Sequence, residues 1–119
     1  MPHLTVEYSA NLQALPAAPL LQRLNDVLLQ SGLFAGPDIK SRALPLPVFL
    51  VGDEPEGHAF VHVKLALLSG RPPEVKKMLS QQLLDALQQA CAWPRGLAVQ
   101  LCVELMDIER EGYSKVTVQ

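Results

Sequence analysis

An α+β fold is predicted: a duplicated β-α-β unit that builds one four-stranded mixed sheet with two helices on one face. Three observations predict it. Apolar residues alternate with polar ones in three separate stretches, as in half-buried strands. Two stretches instead repeat apolar residues every three or four positions, as in amphipathic helices. The two periods follow one another in the same order in both halves of the chain, which reads as one domain over 1–119 with an internal repeat of about 2–57 and 58–119.

His3-Leu4-Thr5-Val6-Glu7-Tyr8 alternates and reads as the first strand, ended by Ser9-Ala10-Asn11. Leu20, Leu21, Leu24, Val27 and Leu28 form one helical face. Pro19 suits its first turn, where a missing N–H is tolerated, and Ser31-Gly32 suits its end. Residues 38–51 are extended, but Pro45 and Pro47 forbid a regular central strand there. Gly52-Asp53-Glu54-Pro55-Glu56-Gly57 is a polar connector.

The second half repeats the pattern. Residues 59–67 alternate, with Val61, Val63, Leu65 and Leu67 on one face and His62 and Lys64 on the other. Ser69-Gly70-Arg71-Pro72-Pro73 is a tight link. A helix follows from about Pro73 to about Ala90, with Val75, Met78, Leu79, Leu83, Ala86 and Leu87 inward and Glu74 at its positive end. Residues 97–106 alternate again, and Lys115-Val116-Thr117-Val118 reads as a short edge strand. Strands joined through a helix run parallel, with right-handed crossovers. Both helices then cover one face, and the remaining face calls for another subunit.

Composition narrows the function. The chain is 49% hydrophobic and 18% charged, too apolar for disorder. Its net charge of −2 and scattered Lys and Arg exclude a basic nucleic-acid face. No apolar run has the length of a membrane span, and Met1-Pro2-His3-Leu4 lacks the basic start and apolar core of a signal peptide, so a cytoplasmic location is the expectation. Cys91 and Cys102 read as reduced core thiols. His58 and His62 are four apart across a loop–strand boundary, which does not define a metal site, and no phosphate loop or Ser-His-Asp set is present. Neither a metal nor a cofactor is expected.

Pro2 is the first candidate catalytic residue. A small second residue permits removal of the initiator methionine, which would leave Pro2 as a free secondary amine. An α-amino group titrates near 7.7–8.0, and burial with neighbouring cations lowers that value toward neutrality, where a base is useful. Arg71, in a strand-to-helix loop, and Arg42 and Lys40, in the first extended segment, are candidate anion ligands, because an Arg presents a bidentate fork to a carboxylate. His58, His62 and Lys64 are further candidate liners.

Several blocks then fall in a specific order: Pro2-His3-Leu4-Thr5-Val6-Glu7 with Ser9 and Asn11, Ser31-Gly32-Leu33-Phe34, Ile39-Lys40-Ser41-Arg42, and Ala59-Phe60-Val61-His62-Val63 leading to Gly70-Arg71. Over roughly residues 2–90 the chain resembles the 5-carboxymethyl-2-hydroxymuconate isomerases of the tautomerase superfamily. The resemblance implies a trimer-forming fold, no cofactor, an amino-terminal proline as acid/base in aromatic catabolism, and two cationic side chains that hold a small dicarboxylate. Arg71 matches one cation. The family tends to have Arg where this chain has Lys40, while Arg42 matches the later Arg of the block. The segment Pro45–Gly57 departs from the family. Other tautomerase or hydratase reactions on small unsaturated or keto acids, and a non-catalytic trimeric binding protein, are the alternatives.

Overall fold

The computed structural model describes all 119 residues. Six main elements alternate: β1 (His3–Ser9), α1 (Ala17–Gln30), β2 (Lys40–Leu46), β3 (His58–Leu68), α2 (Pro73–Gln89) and β4 (Ala98–Ile108). Short 3-10 turns occupy Gly36–Asp38 and Arg110–Gly112. No helix is long and apolar enough to cross a membrane.

The strand order is β2-β1-β3-β4. β1 pairs parallel with β2, and β3 parallel with β4. The two β-α-β units join through an antiparallel β1–β3 pair, so the sheet is mixed, as expected. β2 lies at the edge, which is why it tolerates Pro45: the missing N–H falls on a strand that has a partner on one side only.

The core lies between the sheet and the helices. Leu4 and Val6 from β1, with Val61, Val63, Leu65 and Leu67 from β3, are essentially fully buried. They meet Leu20, Leu24 and Leu28 of α1 and Leu79, Leu83 and Leu87 of α2, which recur at helical spacing along one stripe. Each such side chain contributes about 1.5–3 kcal/mol by leaving water. That burial decides the helix orientation, because neither helix has a side-chain cap at its N-terminus. The first helix begins at Ala17 with Pro19 inside its first turn, slightly earlier than the periodicity suggests.

Four expectations need correction. Met78 is exposed, because it flanks the inward stripe of α2 rather than lying on it. Cys102 is exposed on the sheet face away from the helices, since its alternating position in β4 puts it opposite His62. Cys91 is half-buried beyond the end of α2, where burial pushes its thiol pKa up. Both are free thiols, but neither belongs to the core. The segment 115–118 forms no strand. Instead Tyr113 and Lys115 bond to the start of β1 and to Asp38, a side-chain attachment that replaces edge pairing.

The sheet face opposite the helices is open. It carries Leu44 at 44% exposure and Met106 at 43%, and Leu50 of the following loop is 63% exposed. His62 sits at its centre, with Nε2 2.7 Å from Glu104 and Nδ1 4.0 Å from Glu7.

Candidate active site

Topology gathers the chemistry-bearing residues at one end of the sheet. Pro2 immediately precedes β1. β2 runs parallel to β1, so its first residue, Lys40, pairs with His3, and Arg42 pairs with Thr5. β3 runs antiparallel to β1, so its last residues reach the same end, and the loop after them carries Arg71. Residues far apart in the chain thereby share one rim.

Pro2 is buried, and its carbonyl accepts a hydrogen bond from the Lys40 N–H at 3.1 Å, which continues the β1–β2 ladder to the chain start. In this chain the Pro2 nitrogen is bonded to Met1 and is an amide. The Met1 amine shows what this end of the sheet does to an ammonium. Burial first, and then the neighbouring Lys40, push its pKa down to about 6.

Lys40 Nζ is buried with no hydrogen-bond partner. An unpaired buried ammonium is costly unless something anionic joins it. Arg42 is exposed, and its guanidinium lies 2.9 Å from His3 Nδ1. Arg71 stacks on Phe34, with its guanidinium carbon 4.8 Å from the ring centroid, a cation–π contact. Phe34 follows α1, so a residue of the Ser31–Phe34 block supports the Arg71 side chain.

The loop before Arg71 is pinned from β4. Arg110 donates from Nε to the Ser69 carbonyl at 2.8 Å, and the Ser69 N–H donates to the Ile108 carbonyl at 2.9 Å. Beside them Gly70 takes φ +117°, a conformation that an L side chain rarely adopts.

The charge balance at this rim is uneven. Lys76 pairs with Asp107 at 3.3 Å and Lys115 with Asp38 at 3.2 Å. Lys40, Arg42 and Arg71 pair with no carboxylate. Three free cations around one strand start suit an anionic ligand.

The other candidate liners lie elsewhere. His58 opens β3 at the opposite end, beside Glu54 at 3.3 Å. His62 lies between two glutamates in mid-sheet, and Lys64 faces Thr5 on the same open face. Ser9 and Asn11 also belong to the far end, where they tie β1 to β3 through the Phe60 N–H at 3.0 Å and the His58 carbonyl at 2.8 Å. Tyr113 and Arg110 border the site without having been expected there. Nothing in their local sequence places a tail residue against a strand start.

Three hollows of the chain lie away from Pro2. One of about 740 Å³ lies between the helices, lined by Arg23, Asp26, Met78 and Gln82 among others. Another, of about 310 Å³, lies on the open face between Leu50, Phe60 and His62. The first is larger and carries Asp26 and Asp85 beside Arg23, whereas the cations without carboxylate partners stand at the Pro2 rim.

Known proteins share this architecture. The family model for 5-carboxymethyl-2-hydroxymuconate isomerase matches residues 2–117. The 5-carboxymethyl-2-hydroxymuconate Delta-isomerase of Escherichia coli is 28% identical over 89 residues, 74% of this chain and 71% of that protein. A crystal structure of a 5-carboxymethyl-2-hydroxymuconate isomerase from Deinococcus radiodurans has a TM-score of 0.90 at 34% identity, covering 98% of this chain and 90% of that one. A fused 4-OT, a symmetric trimer, has the same fold, with a TM-score of 0.67 at 22% identity over 93% of this chain and 91% of its own.

Proposed function

The chain belongs to the 5-carboxymethyl-2-hydroxymuconate isomerase family of the tautomerase superfamily, and from that premise we propose that it shifts a double bond in 5-carboxymethyl-2-hydroxymuconate with Pro2 as acid and base. The observation that carries this reading is the convergence of Lys40, Arg42 and Arg71, all free of carboxylate partners, on the strand start that holds Pro2. The chain is a tautomerase-type isomerase.

Once Met1 is removed, Pro2 presents a secondary amine. Its neutral nitrogen takes the proton of the substrate's 2-hydroxyl. The resulting negative charge spreads over a dienolate, which Arg71 and Lys40 stabilise by charge-assisted hydrogen bonds. The protonated proline then delivers that proton to a carbon further along the chain. One O–H becomes one C–H and the double bonds move, so atoms and electrons balance without an added reagent. In this reading the enzyme works in the cytoplasm, in aromatic-compound catabolism.

The test has two steps. Intact-mass measurement is expected to show Met1 absent. Ultraviolet absorbance should then show the processed protein consuming 5-carboxymethyl-2-hydroxymuconate. A processed protein that turns over neither this compound nor phenylenolpyruvate would replace the reaction with a binding role.

The assembly in this reading is a homotrimer. It is supported by the exposed Leu44 and Met106 on the open face and Leu50 beside it, and the fused 4-OT of the same fold is a symmetric trimer. Light scattering is expected to give three chains per particle, and Leu44→Glu with Met106→Glu to shift the mass toward one. A wild-type mass of one chain would overturn it.

A further inference from the structure

The C-terminal tail reaches back to the Pro2 rim at two points. Tyr113 Oη lies 3.2 Å from His3 Nε2, with the two rings edge-on at 6.2 Å between centroids. Lys115 Nζ lies 3.2 Å from Asp38, and by this bond and its charge holds the Asp38 carboxyl below its ordinary range. His3 Nδ1 meets Arg42 on its other side at 2.9 Å.

This geometry fixes a tautomer. A guanidinium can only donate, so His3 Nδ1 must supply its lone pair to Arg42. The ring proton is then on Nε2, where it donates to the Tyr113 hydroxyl. A doubly protonated His3 has no acceptor left for Arg42. The chain Tyr113–His3–Arg42 therefore exists only with a neutral imidazole.

Resting on the function proposed above, we infer that His3 and Tyr113 are positioning residues that hold Arg42 as the clamp for the substrate carboxylate remote from Pro2. Lys40 and Arg42 are two positions apart on β2, about 6.6 Å along the strand. The substrate carries three carboxylates, and that separation suits the two at the ends of its six-carbon backbone, with Lys40 at the reacting end and Arg42 at the far one. Lys40's buried, partnerless ammonium and Arg42's oriented, exposed guanidinium thus take different carboxylates.

The surroundings keep the relay intact near neutral pH. Burial first, then Arg42, Lys40 and the chain amine, lower the His3 pKa. β2 supplies Lys40 and Arg42, the tail supplies Tyr113, and β3 opposes His3 with the uncharged Ala66, Lys64 lying one pair further on. Acid is nevertheless expected to break the relay. As pH falls through the His3 pKa, the lone pair is lost and Arg42 is released.

The test separates the relay from the reaction. In the processed protein, Tyr113→Phe should raise KM for 5-carboxymethyl-2-hydroxymuconate about fivefold, the size of one hydrogen bond. Its kcat, and its KM for the monocarboxylate phenylenolpyruvate, should hold. His3→Gln keeps one acceptor and one donor and does not titrate. It should keep the wild-type KM and remove its acid rise, whereas His3→Leu should raise KM as Tyr113→Phe does. Nitrogen NMR at neutral pH should show His3 protonated at Nε2 only. Equal KM changes for both substrates, or His3 protonated at Nδ1, would overturn the inference. Should the wild type turn over neither compound, the reaction fails and the relay is still decided. Adipate binding would weaken in Tyr113→Phe while hexanoate binding would not, and equal behaviour of the two acids would sink it.

Discussion

Replacing Pro2 with alanine in the Met1-free protein is expected to lower kcat for 5-carboxymethyl-2-hydroxymuconate by about 10²–10⁴-fold, the range of a lost general acid/base. Alanine still ends in an amine, so the loss measures the ring. Proline fixes its nitrogen lone pair relative to β1, and the Lys40 N–H bond to the Pro2 carbonyl fixes the residue itself. A primary amine on a freely rotating residue loses that aim. Protein that retains Met1 should lose more, because an amide nitrogen has no basicity near neutral pH. The pH profile has a definite sign. The active form is the neutral amine, so turnover is present above its pKa and lost as pH falls through it. The Met1 amine, lowered to about 6 by burial and Lys40, indicates the direction in which the same surroundings move the Pro2 amine. Steady-state absorbance kinetics on the two proteins decide the matter, and full activity in Pro2→Ala would sink the mechanism.

Arg71→Ala is expected to cost about 10²–10³-fold in kcat/KM for 5-carboxymethyl-2-hydroxymuconate, the size of one lost donor at a developing anion. Phenylenolpyruvate passes through the same kind of enolate and should lose a similar factor. Arg71 is prepared for this role by its surroundings. Phe34 supports the guanidinium from below, Arg110 ties down Ser69, and no carboxylate neutralises it. Arg71→Lys should recover only part of the loss, because an ammonium lacks the planar fork and stacks poorly on a ring. Parallel kinetics on the two substrates check this, and a loss confined to 5-carboxymethyl-2-hydroxymuconate would take Arg71 off the enolate.

The architecture was legible because its signals are periodic. Leu20, Leu24 and Leu28 on a helix, and Val61, Val63, Leu65 and Leu67 on a strand, announce which side of each element leaves water. Two prolines announce that the extended segment after the first helix can pair on one side only. Alternation does not say which face a second layer will cover, however. Cys102 looked apolar in an apolar run and faces outward. The candidate site was legible in its residue types and illegible in its boundaries. Pro2, Lys40, Arg42 and Arg71 could be chosen by chemistry, with His58, His62 and Lys64 as further possible liners. Only the antiparallel β1–β3 pairing sends the start of β3 to the far end. Tyr113 and Arg110 were missed for a related reason, since a tail that folds back by side-chain bonds carries no periodicity.

The two halves of the sheet match in frame and differ in chemistry. His3 pairs with Lys40 in the first parallel pair, and His58 pairs with Ala98 in the second. Thr5 with Arg42 corresponds to Phe60 with Gln100. The position matching Pro2 is Gly57, an ordinary peptide link in mid-chain. The second half therefore repeats the scaffold without a second copy of the site: no cation stands at the positions matching Lys40 and Arg42, and no amine can be freed there. A polypeptide has only one beginning. In the proposed reading, a catalyst made from that beginning cannot be copied by duplicating the strands around it, so each subunit would hold a single reaction centre however symmetric its frame.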